Sequence, residues 1–286
     1  MTAARRARSV TVLPALVLAL ASLMIHAQSA APKVPAFGHV VVVVLENKDR
    51  ADVLGNADAP AFNAFAKGGA VLSGYRGVTH PSLPNYLALV SGSTHGIASD
   101  CTSCTVAGRS LADTLEARGL SWKAYAEGLP GPGWTGAWSG RYAKKHEPFV
   151  YFRSVLASPA RLRRVVPLTQ LARDLAARRL PAFALVTPDL CHDMHDCSVR
   201  VGDAWLKRFL LPLLKLPRTA VFVVFDESDS SDPGVPALAL GTLVRPHSRF
   251  RAAMSHYDLL RTIEDGLGLP RLGSSARAAP VTAIWR

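Results

Sequence analysis

The chain is poor in charge, and poorest in acids: only 19% of its 286 residues are Asp, Glu, Lys or Arg, with 21 acidic side chains against 33 basic ones. That composition excludes a disordered, charge-solvated chain, and 49% hydrophobic residues supply apolar surface for a large core. No Gly-X-Y period and no sustained heptad runs through it, which excludes collagen and coiled coil. Internal repeats and an interdomain linker are also missing. Past residue 25 no apolar run approaches the roughly 20 residues of a membrane-spanning helix. Cysteine is scarce, with four in all, and a CxxC (Cys101, Cys104) beside a CxxxxxC (Cys191, Cys197) lacks the regular spacing of a structural zinc site.

What is present begins with a leader. Arg5, Arg6 and Arg8 precede an apolar run from Val10 to Ile25, and small residues follow around Ala27 to Ala31. This is the pattern of a secretory signal peptide over 1–31, leaving a single domain over 32–286 in the periplasm or medium, with no stable membrane span after cleavage; a retained N-terminal anchor is the alternative. An oxidising compartment favours disulfides, and the local pairs Cys101–Cys104 and Cys191–Cys197 are the simplest of three connectivities, with zinc as the rival. Cleavage lowers the formal charge from +12 to +9 by removing three arginines. The remaining cations, among them Arg161, Arg163, Arg164, Arg173, Arg178 and Arg179, lie scattered without interleaved aromatics. They read as a solvated basic surface with no specific nucleic-acid partner.

Three continuous apolar, β-branched runs, HVVVVVLEN (39–47), FALVTPD (183–189) and TAVFVVFDE (219–227), have the form of strands covered on both faces; LALGTLV (238–244) is a weaker fourth. Helical patterns lie between them at 110–119, where Ser110 and Asp113 form a capping box and Gly119 a C-terminal cap, at 171–180 and at 256–269. The stretch from Gly128 to Trp138 reads as a loop or lid. The expected fold is α/β, a mostly parallel central sheet with helices on both faces. Each strong strand ends in acids or amides, Glu46 and Asn47, Asp189, then Asp226 and Glu227. Open α/β sheets bind ligands beyond the carboxyl ends of their strands, so these side chains are expected to converge.

The segment GVTHPSLPNYLALVSGSTHGI (77–97) places Ser82 after an expected strand and at the start of a helix whose stripe is Leu83, Leu87 and Val90. There Ser82 is a plain N-cap or a nucleophile helped by the positive end of the helix dipole. SLPNY with LVSGSTHGI resembles the nucleophile segment of the alkaline phosphatase superfamily. Taken with LEN, TPDLCHDMHDCSV, FDE and SHYDLLRTIEDGLGLP, the chain resembles, over residues 38–273, the bacterial phosphoesterase family of acid phosphatases and phosphatidylcholine-preferring phospholipases C.

The resemblance implies an alkaline-phosphatase-like fold and a hydrolase of phosphate esters. Ser82 is then the nucleophile, transiently phosphorylated, and Asn85 a contact to a phosphoryl oxygen. Glu46, Asn47, Asp226 and Glu227, with Ser82, hold a divalent cation whose identity and number stay open. Asp193 and His195 bind a second metal, orient phosphate or protonate the leaving oxygen; Lys145, His146 and His256 contact substrate. The partner is a small anionic phosphate ester, with a phospholipid headgroup as one form of it. Two other readings remain: a catalytically silent protein of the same fold that captures phosphate ligands or metal, and a sulfatase, disfavoured by the absence of a CxPxR-type segment.

Overall fold

A computed structural model describes residues 1–2, 34–230 and 234–286; apart from its first two residues the expected leader lies outside the described residues. Ten strands occur among them: β1 (His39–Leu45), β2 (Ala70–Leu72), β3 (Trp122–Ala126), β4 (Trp138–Ser139), β5 (Tyr142–Ala143), β6 (Val165–Pro167), β7 (Phe183–Thr187), β8 (Thr219–Phe225), β9 (Ala237–Leu240) and β10 (Ser248–Phe250). Eight form one sheet in the order β10-β2-β9-β8-β1-β7-β3-β6, while β4 and β5 make a separate antiparallel ribbon. From β8 to β6 every pairing is parallel, and only β9 runs antiparallel, to β8 and to β2.

The mostly parallel sheet expected from the sequence is therefore present, and its cause is visible in β1. Val40 to Leu45 are all at most 1% exposed, so both faces of the strand are covered, as a β-branched run without alternation requires. Each such side chain gains about 1.5 to 3 kcal/mol by leaving water. In register, Val42 lies beside Leu185 of β7 and Phe222 of β8.

Strand ends are shorter than their apolar runs suggest. β1 stops at Leu45, β7 at Thr187 and β8 at Phe225, leaving the polar residues just past each end. The fourth run keeps only Ala237–Leu240, because Gly241 turns with φ 106°. The helix expected over 171–180 spans Thr169–Ala176 and ends before Arg178, at φ 53°; that over 256–269 spans His256–Leu267 and ends at Gly268, φ 65°. Ser110 and Asp113 do form a capping box, with Ser110 N–H donating to Asp113 Oδ2 at 2.9 Å. Both local disulfides, Cys101–Cys104 and Cys191–Cys197, are formed, which removes zinc as their use.

One buried acid outside the site makes stability depend on pH. Glu264 is fully buried, accepts Leu272 N–H at 2.8 Å and Ser275 Oγ–H at 2.6 Å, and so pins the C-terminal segment to its helix. Burial raises its pKa to about 7 from the ordinary 4.5, despite those donors. A folded-state pKa above the unfolded value means that the folded state holds the proton more tightly. Its contribution is full below pH 4.5 and is lost as pH rises through about 7. Glu264→Gln should flatten the decline of unfolding free energy between those limits, as read by urea titration at several pH values; an unchanged slope would assign the decline elsewhere.

Candidate active site

Register builds the first part of the site. Leu45 of β1 pairs with Phe225 of β8, so the next residues, Glu46 and Asp226, emerge side by side at the carboxyl edge of the sheet. Asn47 turns the chain in the left-handed region (φ 43°), which Asn tolerates better than most residues, and its N–H donates to Asp226 Oδ1 at 3.2 Å. Asp193 joins them from the loop after β7, its carbonyl accepting Glu46 N–H at 2.9 Å.

Ser82 is the first residue of the helix Ser82–Ser91 and not its cap; Pro81 holds the cap position, and the serine hydroxyl makes no capping bond. Nor does a strand directly precede it: β2 ends at Leu72, and a loop over 73–81 intervenes. The Ser82 Oγ–H is free to point across the sheet edge, and it donates to Glu46 Oε2 at 3.0 Å. On its other side Lys145 Nζ approaches Ser82 Oγ at 3.3 Å and Asp100 Oδ2 at 3.1 Å. Lys145 and His146 come from the turn Lys144–His146 that follows the ribbon. The His146 ring stacks on Tyr86 with centroids 5.3 Å apart, and lies 3.1 Å from Glu46 Oε2 and 3.5 Å from Asp193 Oδ2.

Glu46, His146 and Asp193 are thereby one of two triples among the described residues whose ligand atoms come within 4.8 Å of one another; the other, Glu127, Asp189 and His192, takes up the Asp189 that was expected to join the strand-end acids. Of the cation ligands expected from the sequence, only Glu46 belongs to the first triple. Asn47 and Asp226 sit beside it, whereas Glu227 is engaged by His80 Nδ1 at 2.7 Å and by Asn85 Nδ2 at 3.4 Å. Asn85 spends its remaining capacity on the loop, accepting Val78 and Thr79 N–H at 2.8 and 3.1 Å and donating to Thr79 O at 2.6 Å. It shapes the approach to Ser82.

The electrostatics call for a cation. Glu46 is fully buried; burial opposes its charge, but His146, Tyr86 and Lys145 outweigh it and lower its pKa to about 2. Asp193 is pushed up to about 9 by burial and then by Glu46. Asp226 is raised well above the usual carboxylate range by burial, Glu46 and Glu227, and Glu227 reaches about 7 by burial and Glu46. Burial works against the Lys145 charge, yet Glu46 and Asp100 hold its pKa above the ordinary value. Three buried oxygens here lack a hydrogen-bond partner, Asn47 Oδ1, Asp193 Oδ2 and Asp226 Oδ2, and His146 Nε2 faces Glu46 Oε2 at 3.1 Å without the angle of a hydrogen bond. Unpaired oxygens and one imidazole nitrogen around crowded carboxylates suit a divalent cation, which would replace the missing partners and offset the repulsion.

His195 and His256 have other partners. The His195 ring is paired with Asp196 at 2.7 Å, and its backbone N–H donates to Asp193 Oδ1 at 2.8 Å. His256 is 1% exposed; its Nε2–H donates to Asp226 O at 2.6 Å and its Nδ1 faces the Tyr75 hydroxyl at 2.9 Å, with burial lowering its pKa to about 4. A neutral His256 therefore braces the backbone of Asp226. Tyr86, which donates to Glu46 Oε1, His80 and Asp100 escaped sequence reading. Tyr86 reads there as core, and His80 and Asp100 sit in no periodic pattern. The Cys191–Cys197 bridge closes the loop that carries Asp193. By loop-closure entropy such a bridge contributes about 2 kcal/mol. Reduction should lower both thermal stability and activity, and full activity of the reduced protein would show that the loop holds Asp193 unaided.

The model of the phosphoesterase family matches residues 54–270. A phosphatidylinositol-3-phosphatase of Mycobacterium tuberculosis is 38% identical over 263 residues, covering 90% of this chain and 85% of that protein. An acid phosphatase of Aspergillus fumigatus is 31% identical over 83% of this chain, which spans 56% of that longer protein. Among solved structures, a protein of the alkaline phosphatase superfamily from Vibrio parahaemolyticus superposes with a TM-score of 0.58 at 15% identity, covering 88% of this chain and 72% of the other, a likeness of fold. With the match of motifs and the shared architecture, the chain belongs to the phosphoesterase family, enzymes that hydrolyse phosphoric ester bonds.

Proposed function

We propose that this protein is an exported, metal-dependent phosphatase that works through a phosphoserine at Ser82. The observation that carries the proposal is the position of Ser82 Oγ, between Glu46 Oε2 at 3.0 Å and Lys145 Nζ at 3.3 Å, at the start of a helix and beside unpaired buried carboxylate oxygens. Phosphate monoesters are the substrate class, supported by relatives named as phosphatases. Export is supported by the leader pattern over 1–31 and by the two disulfides of the domain over 32–286.

Lys145 and the positive end of the Ser82–Ser91 helix draw the phosphoryl group to the serine. Ser82 Oγ, oriented by its hydrogen bond to Glu46 Oε2, gives up its proton to solvent and forms a bond to phosphorus as the bond to the leaving oxygen breaks; that oxygen takes a proton from solvent. Water then attacks the phosphoserine, releasing phosphate and restoring the hydroxyl. Glu46, His146 and Asp193, with Asn47, Asp226 and Glu227 alongside, would hold a divalent cation, which supplies neutralisation of phosphoryl charge and a lower pKa for the serine hydroxyl. Tyr86 and His146 fix the Glu46 carboxylate, and Asn85 and His80 fix Glu227.

Chelated protein resupplied with defined divalent ions should hydrolyse p-nitrophenyl phosphate faster than bis-p-nitrophenyl phosphate or p-nitrophenylphosphorylcholine, and an acid quench should leave phosphate on the Ser82 peptide by mass spectrometry. Fastest turnover of the choline ester would move the assignment to a phospholipase C acting on lipid headgroups. Activity unaffected by chelation would remove the metal.

A further inference from the structure

We propose that the edge of the sheet opposite the active site is a docking face for an anionic phospholipid bilayer. The parallel strands β3, β6, β7, β1 and β8 all begin on that edge, so the loops entering them lie together there, as far from Glu46 and Asp226 as the strands are long. These loops carry Arg163, Arg178, Arg179, Lys215 and Arg218, all exposed and none with a carboxylate partner within 4.0 Å among the described residues. The acids nearby are already used: Asp113 and Glu116 by Arg161 and Arg164, and Asp174 by Lys123. The carboxyl edge, with Glu46, Asp193, Asp226 and Glu227, has the opposite character.

Charge alone would fit any polyanion; apolar surface among the cations selects a bilayer. Leu211 is 51% exposed in the segment that leads into β8, where Pro212 and Pro217 are exposed as well. On the same edge a cavity of about 360 Å³ opens between His39, Leu175, Leu180, Leu216 and Pro217, with Arg178 at its wall. Apolar groups that enter the acyl boundary, ringed by cations that meet anionic headgroups, are the pattern of a peripheral membrane face, and a nucleic acid or polyphosphate gains nothing from the leucine. Docked this way, the enzyme turns its catalytic edge toward solvent and acts on phosphate esters in solution.

The test is co-sedimentation of the exported protein, residues 32–286, with vesicles of phosphatidylcholine alone or mixed with phosphatidylglycerol, with p-nitrophenyl phosphate hydrolysis measured in parallel. The double variant Arg178→Glu/Arg179→Glu should lose about tenfold or more in partition onto the mixed vesicles, and Leu211→Ser several-fold, while both hydrolyse the soluble ester like the wild type. Neither change should alter partition onto phosphatidylcholine. Equal partition of wild type and the double variant onto mixed vesicles overturns the proposal. So does a loss in the double variant with none in Leu211→Ser and displacement by soluble polyphosphate, which would make the face a site for soluble polyanions. Binding is read without catalysis, so its failure is distinct from failure of the phosphatase reading.

Discussion

Ser82→Ala should abolish turnover of p-nitrophenyl phosphate, by about 10⁴-fold or more if the hydroxyl is the nucleophile, while the protein stays folded. The structure sharpens both halves of that expectation. Because Pro81 occupies the cap position, losing the Ser82 hydroxyl removes no cap; it removes one hydrogen bond, to Glu46, worth about 1 to 3 kcal/mol with a charged acceptor. The Glu46–His146–Asp193 triple is untouched, so binding of a divalent cation should persist with modest change in affinity. Thermal melts with and without added metal, alongside initial rates, separate these effects. A variant retaining more than about a hundredth of wild-type activity would end the covalent proposal, since loss of a nucleophile costs far more than that.

Asp226→Asn is expected to act in opposite directions on the metal-free and metal-loaded protein. Burial, Glu46 and Glu227 make the Asp226 charge costly, and Asn can still accept Asn47 N–H at the same place. Without metal the variant should melt at the wild-type temperature or above it. With metal, the wild type gains stability as RT ln(1 + [L]/Kd), and the variant should lose much of that gain together with activity. On the proton side, a carboxylate raised far above its unfolded pKa stabilises the fold at low pH and withdraws that contribution as pH rises. The melting difference between variant and wild type, measured without metal, should therefore widen with pH. An equal metal-induced shift in both proteins would place the cation away from Asp226.

The central sheet was legible because β1, β7 and β8 are buried on both faces, a condition that leaves an unmistakable apolar run. Shorter strands were not. β3, WKAYA, carries Lys123 within it, and β2, β6 and β10 are three residues each, too short for any period to show. The leader, 1–31, falls outside the described residues apart from its first two. The acids at the strand ends were equally plain, since each interrupts an apolar run, but the partners that give them their chemistry lie up to 179 positions away in the chain.

Local patterning, with the motifs of the family, was enough for the sheet, the disulfide pairs and Ser82 as the residue to examine. Only the folded chain decided what surrounds that serine. His146 and Asp193 meet Glu46 because the ribbon turn and the loop after β7 close over the same sheet edge. His256 faces inward because its helix packs beneath Asp226, and Glu227 is held by His80 from the loop that precedes Ser82. The physical reason is one of range: periodicity and capping are encoded within a few residues, whereas ligand distances and the burial that moves a pKa depend on segments that the sequence keeps far apart.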